Sequence, residues 1–151
     1  MTVTAQQTFD QMMKEEVAPA LRKLGLKGSG QRFELPSNEF WLLIGFQKSQ
    51  WSDSDDVRFT INLNVASRAR WEEARLTRPY LGARPSPNTL YTAPAIAMDD
   101  YAWSRRIGDV LPGGADRWWK VTPSSDTRLI ADEVVAAIRN YALPAMRDAC
   151  G

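Results

Sequence analysis

Residues 57–65 read VRFTINLNV, an unbroken alternation of apolar and polar side chains. Successive side chains on a β-strand point to opposite faces, so this pattern specifies a strand with one buried and one polar face. Val57, Phe59, Ile61, Leu63 and Val65 form the apolar face, and Arg58, Thr60, Asn62 and Asn64 the other. Residues 40–49 are a second, largely apolar strand, and the polar, acidic linker SQWSDSDD between the two reads as a hairpin loop. Pairing must bring Leu42, Ile44 and Phe46 onto the apolar face, because a one-residue slip would turn every side chain over. Trp41, Leu43, Gly45 and Gln47 then share the polar face. In the simplest register Gln47 lies opposite Arg58, and Trp41 opposite Asn64. One face is expected to be core. The other is expected to be open, and it is aromatic, polar and cationic together.

The flanking segments supply what must cover the core face. Residues 4–24 place Phe9, Met12, Met13, Val17, Ala20, Leu21 and Leu24 at helical spacing, with Thr4 or Thr8 as cap and Gly25 at the C-terminal left-handed position. Pro19 should kink this helix or split it after Val17. Residues 127–142 repeat the pattern with Ile130, Val134, Ile138 and Tyr141, capped by Ser125 or Asp126, and Leu143-Pro144 is read as its end. Between the helices come a turn at residues 28–30, a short strand at 31–35 and a short helix at 70–81. Further strands are read at 100–108 (Tyr101, Trp103, Arg105 and Ile107 on one side) and at 116–122. Residues 82–94 carry Pro85, Pro87 and Pro94 and read as a long, mobile loop. Strands that come in a run joined by short turns imply an antiparallel sheet, and two helices with one stripe each can cover one face. The expected fold is α+β: a two-layer sandwich of about five antiparallel strands (31–122) with an N-terminal and a C-terminal helix on one face. At 151 residues, one domain spanning 1–151 is expected, and a chain of that size buries roughly 70% of its unfolded surface without a metal or disulfide staple.

Composition narrows the chemistry. The chain has no histidine and one cysteine, Cys150. Ser-His-Asp, Cys-His and His-based zinc sites are therefore excluded, and Cys150 is read as a free thiol at the C-terminus. Carboxylate chemistry, Lys or Tyr acid–base work and a carboxylate-held cation survive. Net charge is +1, which disfavours nucleic acid as a partner. No apolar run approaches the roughly 20 residues of a membrane helix, and with no export signal the cytoplasm is the expected compartment.

The order LRKLGLKGSGQRFEL, WLLIGFQKSQ, FTINLNV, WSRRIGDVL, DRWWKV and a helix ending YALPAM resembles the bacterial domain of unknown function family 4304, from about Phe9 to Met146. Leu26 stands where that family tends to have Phe, and Asn64 where it often has Gly. The resemblance implies a single-domain, bacterial, intracellular protein. It brings no reaction or ligand, only attention to Gln47-Lys48-Ser49.

The candidate binding face is Gln47, Lys48, Arg58, Asn62, Asn64, Trp118 and Trp119. Lys48 either binds an anion that Gln47 orients or lies along the surface beside Asp53, Asp55 or Asp56. Of Trp118 and Trp119, one should be core and the other on the polar face. Trp41, Trp103, Trp118 and Trp119 with Arg58, Arg105 or Arg106 could form a stacking platform or fill the core. The stretch 66–87 holds Arg68, Arg70, Arg75, Arg78 and Arg84 against Glu72 and Glu73; it could be a local anion-facing patch, but a solvated face is the preferred reading. Asp53, Asp55 and Asp56 lack the Gly and distal Glu of a calcium loop. Asp99, Asp100, Glu72 and Glu73 could supply a magnesium pair, but nothing in the sequence brings them together. The reading that results is a binding module without a cofactor, taking a protein partner or a small anionic ligand. The alternatives are a carboxylate–metal phosphoester hydrolase and a single-stranded nucleic-acid binder.

Overall fold

The computed structural model describes residues 2–91 and 102–151. One antiparallel sheet contains β1 (Lys27–Ser29), β2 (Arg32–Glu34), β3 (Phe40–Lys48), β4 (Val57–Ser67), β5 (Ala102–Arg106) and β6 (Trp119–Val121). The order is β1-β2-β3-β4-β5, and β6 pairs with β4 beside β5. The long strand β4 thus serves two neighbours on one edge, β5 along Asn62–Ala66 and β6 along Val57–Phe59. Thr60 bridges the gap between them, its hydroxyl donating to the Arg117 carbonyl at 2.7 Å. Gly28 and Ser29, expected within a turn at 28–30, belong with Lys27 to the edge strand β1, and the turn moves to Gly30 (φ 60°) and Gln31.

The central hairpin keeps its expected faces but not its simplest register. Gln47 lies opposite Thr60, and Trp41 opposite Ala66, a shift of two residues that leaves each side chain on its own face. The loop explains the shift. Ser52 N–H closes a turn on the Ser49 carbonyl at 3.0 Å, and the Asp53 carboxylate accepts from the amides of Asp55 and Asp56 at 2.9 and 3.0 Å. These turns occupy residues 49–56, so pairing begins with Ser49 N–H on the Arg58 carbonyl, at 2.7 Å.

The helices pack on the apolar face. α1 (Ala5–Met12) carries a capping box in which Thr4 accepts from Gln7 N–H and the Gln7 side chain accepts from Thr4 N–H. A π-turn (Met13–Val17) joins it to α2 (Ala18–Lys23). The C-terminal helix has the same construction: α5 (Thr127–Ala137), capped by Asp126, then a π-turn (Ile138–Ala142), then α6 (Leu143–Ala149). Each π-turn precedes a proline, Pro19 or Pro144. A helical proline lacks the N–H and crowds the carbonyl four residues back; one extra residue in the turn moves that carbonyl aside. Pro19, expected to kink the first helix or split it after Val17, does not split it: the helix runs through the π-turn at Met13–Val17 to Lys23. Pro144 does not end the second helix, which runs on to Ala149. The extra residue also rotates the apolar stripe: Ala142 is buried, and Tyr141, expected on the stripe, is 40% exposed.

Phe9, Met12, Val17, Leu21, Val134, Ile138 and Met146 meet Phe46, Phe59, Ile61 and Leu63 in the main core. Phe59 is fully buried, with its ring centroid 5.1 Å from Phe9, 6.1 Å from Phe46 and 5.5 Å from Trp119. No described helix is long and apolar enough to cross a membrane, and Cys150 is a free thiol.

The opposite sheet face, expected to be open, is covered. α3 (Arg68–Thr77), N-capped by Ser67, and residues 78–91 lie over it. A second, smaller core forms there from Ala66, Trp71, Ala74, Leu81, Tyr91 and Ala102, with Trp41 half-buried against it. The short α4 (Ile107–Val110) follows β5. The segment expected to be a mobile loop at 82–94 is anchored as far as Tyr91, with Pro85 and Pro87 buried. Its remainder, together with Asp99, Asp100 and Tyr101, lies outside the described residues.

Candidate functional site

Alternation places Asn62 and Asn64 on the second face, where residues 86–91 seal them from solvent; Asn62 is 0% exposed and Asn64 1%. They are not part of an accessible surface. The Asn64 amide donates to the carbonyls of Pro87 and Ser86 at 2.9 and 3.3 Å, and its Oδ1 accepts from the Ser104 hydroxyl. Ser104 Oγ accepts in turn from Tyr91 N–H at 2.9 Å, and the Tyr91 hydroxyl accepts from Ser86 N–H at 2.7 Å. Asn62 donates to Gln47 Oε1 at 2.8 Å and to Asn88 Oδ1 at 3.1 Å. These two asparagines clamp the covering segment, because buried polar groups of a strand need partners and the segment's carbonyls supply them. Gly45 makes the close approach possible. A Cβ there would fall 2.2 Å from Asn88 Oδ1 and 2.8 Å from the Pro87 carbonyl carbon.

Trp119 is also removed from any binding face. It is 4% exposed and stacks on Phe59 at an interplanar angle of 19°. Its neighbour Trp118 takes the polar side, half-buried, with Nε1 donating to Asp116 Oδ2 at 2.8 Å and the Arg106 guanidinium 5.3 Å from its ring centroid.

The remaining candidates converge. Gln47, Lys48, Arg58 and Trp118 surround an open depression of about 610 Å³ at the loop end of the β3–β4 hairpin, with Ser49, Gln50 and Trp51 completing its wall. The Lys48 ammonium donates to Gln6 Oε1 at 2.9 Å and lies 5.6 Å from the Phe9 ring centroid, so it reaches toward α1 and not toward the acidic loop. Arg58 sits across from Lys120, a like-charge pair that Asp56 offsets by lying 3.5 Å from Arg58 Nε and 3.3 Å from Lys120 Nζ. The Arg58 side chain is 59% exposed, and an ion pair that open contributes about 0–1 kcal/mol. Its guanidinium therefore stays available to a ligand. Trp51, in the acidic linker, was not among the sequence candidates, yet it is 81% exposed on this wall. The signal that could have found it is a large aromatic inside an otherwise polar turn.

The arginine-rich stretch does not face solvent as one patch. Arg68 and Arg84 stack over the Trp41 ring at 3.7 and 4.7 Å from its centroid and share Glu34, at 3.8 and 3.2 Å. Glu72 pairs with Arg75 at 3.0 Å. Among the described residues no group of three His, Cys, Asp or Glu side chains is gathered to hold a metal ion. Burial raises the Cys150 thiol above its ordinary pKa, and its S–H points to the Met146 carbonyl at 3.4 Å, which disfavours the nucleophilic thiolate.

The family model described as Domain of unknown function (DUF4304) matches residues 17–148. The chain belongs to this family. The DUF4304 match takes in all six strands and every residue lining the depression, from Gln47 to Trp118. No curated protein and no solved structure matches the chain.

Proposed function

We propose that the protein is a non-catalytic binding module whose depression at the β3–β4 hairpin receives an acidic segment of a partner protein. The observation that carries this reading is the meeting of an exposed tryptophan, Trp51, and a half-buried one, Trp118, with the Arg58 guanidinium in one concavity. Trp51 and Trp118 offer large, rigid contact area, and Arg58 offers a guanidinium in a weak, solvent-exposed ion pair. Trp and Arg are the residues that most often dominate protein–protein binding energy. Arg58 and Lys120 lie across from each other on this face and share the one carboxylate of Asp56, which favours an anionic segment over a cationic one. Nearby carboxylates are already engaged, Asp56 by Arg58 and Lys120 and Asp116 by Arg106 and the Trp118 indole, so they are poorly suited to acid–base work.

The test is affinity capture from the native host with the wild-type chain, Arg58→Ala and Trp51→Ala, repeated in the presence of a short poly-glutamate peptide. The expected outcome is a partner held by the wild type, lost from both variants and displaced by the peptide. Both side chains are exposed, so stability should change by no more than about 0.5–1 kcal/mol. An unchanged capture profile for both variants rejects the reading.

A further inference from the structure

A second concavity, of about 610 Å³, lies between the β1–β2 hairpin and residues 82–91, and it shares no residue with the hairpin depression. Lys27, Arg32, Glu34, Arg84, Pro85, Pro87 and Tyr91 belong to its lining. We propose that this cleft binds a small phosphomonoester, with Arg32, Arg84 and Lys27 on the phosphoryl group and the proline wall against the carbon moiety.

Charge is the first argument. Three cations line the cleft against a single lining carboxylate among the described residues, Glu34. Glu34 is already divided between Arg84, at 3.2 Å, and Arg68, at 3.8 Å. The positive surplus therefore exceeds what one bound monoanion would neutralise, and it suits the near-dianionic charge of a phosphomonoester at neutral pH. Two arginines also supply planar donor forks, which match phosphoryl oxygens in pairs.

Position is the second argument. Arg32 lies opposite Gly45, on the sheet face where Asn88 and Pro87 pack, so β2 directs it toward the covering segment. Arg84 approaches from that segment. Its guanidinium is held over the Trp41 ring at 4.7 Å and by Glu34, so less side-chain freedom is lost when a ligand binds. The segment itself is fixed by the Asn64 and Asn62 clamp. The two arginines thus come from distant parts of the chain and are set by elements that do not depend on a ligand.

The wall is the third argument. Pro85, Pro87 and Tyr91 are buried in the covering segment and form one side of the cleft. An apolar wall beside a cationic end fits a molecule with a hydrocarbon or aromatic part next to its anion, and the volume falls in the small-molecule range.

The experiment is calorimetric titration of the whole chain with phenyl phosphate, inorganic phosphate and sodium acetate, for the wild type, Arg32→Ala, Arg84→Ala, Arg84→Lys and the exposed control Arg147→Ala. Phenyl phosphate should bind more tightly than inorganic phosphate, and acetate should show no saturation. Arg32→Ala and Arg84→Ala should each weaken phenyl phosphate about tenfold or more, since each removes charge-assisted hydrogen bonds. Arg84→Lys should recover part of the loss by restoring charge without the fork, and Arg147→Ala should match the wild type. Circular dichroism of each variant checks that it is folded, and both arginines are accessible enough that folding should survive. Equal affinity for phosphate and phenyl phosphate overturns the monoester assignment. Failure to saturate with either below about 10 mM, or equal binding by all variants, overturns the site itself. Because the hairpin depression shares no lining residue with this cleft, neither result bears on the partner-capture test.

Discussion

Phe59 shows how much one position of the alternating strand decides. It touches the first helix through Phe9 and the two strands that flank it, β3 through Phe46 and β6 through Trp119, so three elements meet on one ring. Phe59→Ala removes all three contacts at a site with no solvent access. The expected cost is about 3–5 kcal/mol in denaturant titration, the range for truncating a buried aromatic. A loss below about 1 kcal/mol would mean that the surrounding rings had closed the cavity, which close-packed strands rarely allow. This much was legible in the sequence, because strict alternation assigns Phe59 to the core face whatever the register. Asn62 and Asn64 obeyed the same alternation, but a polar face does not distinguish side chains that meet water from side chains that hold a covering segment. Their buried role depends on residues 86–91, more than 20 positions away.

At the scale of single elements, the helices show where periodicity misleads. A period of 3.6 residues places Tyr141 on the apolar stripe after Val134 and Ile138. The π-turn at Ile138–Ala142 adds one residue before the stripe resumes, which buries Ala142 and turns Tyr141 outward. Pro144 was the available clue; it signals an interruption, but not whether the helix ends or inserts a π-turn. The two arrangements predict opposite mutational orders. With the π-turn, Tyr141→Ser should change stability by no more than about 0.5 kcal/mol, and Ala142→Leu should cost about 1–3 kcal/mol by overpacking. Paired thermal melts check this, and the reverse order would indicate an uninterrupted α-helix. The hairpin register was missed for a related reason: the Asx turn at Asp53 and the turn at Ser49 set the loop length, and neither alters the hydrophobic pattern.

Across the whole molecule, one sheet carries two cores of unequal size. The helical face is built from large residues drawn from both ends of the chain, and Thr127 on α5 donates to Glu16 across 111 residues at 2.7 Å. The second face is held by a smaller apolar cluster and by the asparagine–serine–tyrosine network. Unequal cores on a shared sheet imply unequal opening free energies, with the second layer as the weaker cooperative unit. Native-state hydrogen exchange should therefore find the Ser86 and Tyr91 amides, bonded to Tyr91 Oη and Ser104 Oγ, opening together and more readily than the Leu63 amide of central β4. Asn64→Ala sharpens the test. It deletes the acceptor of the Ser104 hydroxyl and the donor to two carbonyls, and should lower protection at Ser86 and Tyr91 by about 1–3 kcal/mol. Leu63 should retain a larger opening free energy than either. If Ser86, Tyr91 and Leu63 instead exchange with one common free energy in both proteins, the two layers open only by global unfolding. The cleft between β2 and residues 82–91 would then be as rigid as the sheet beneath it.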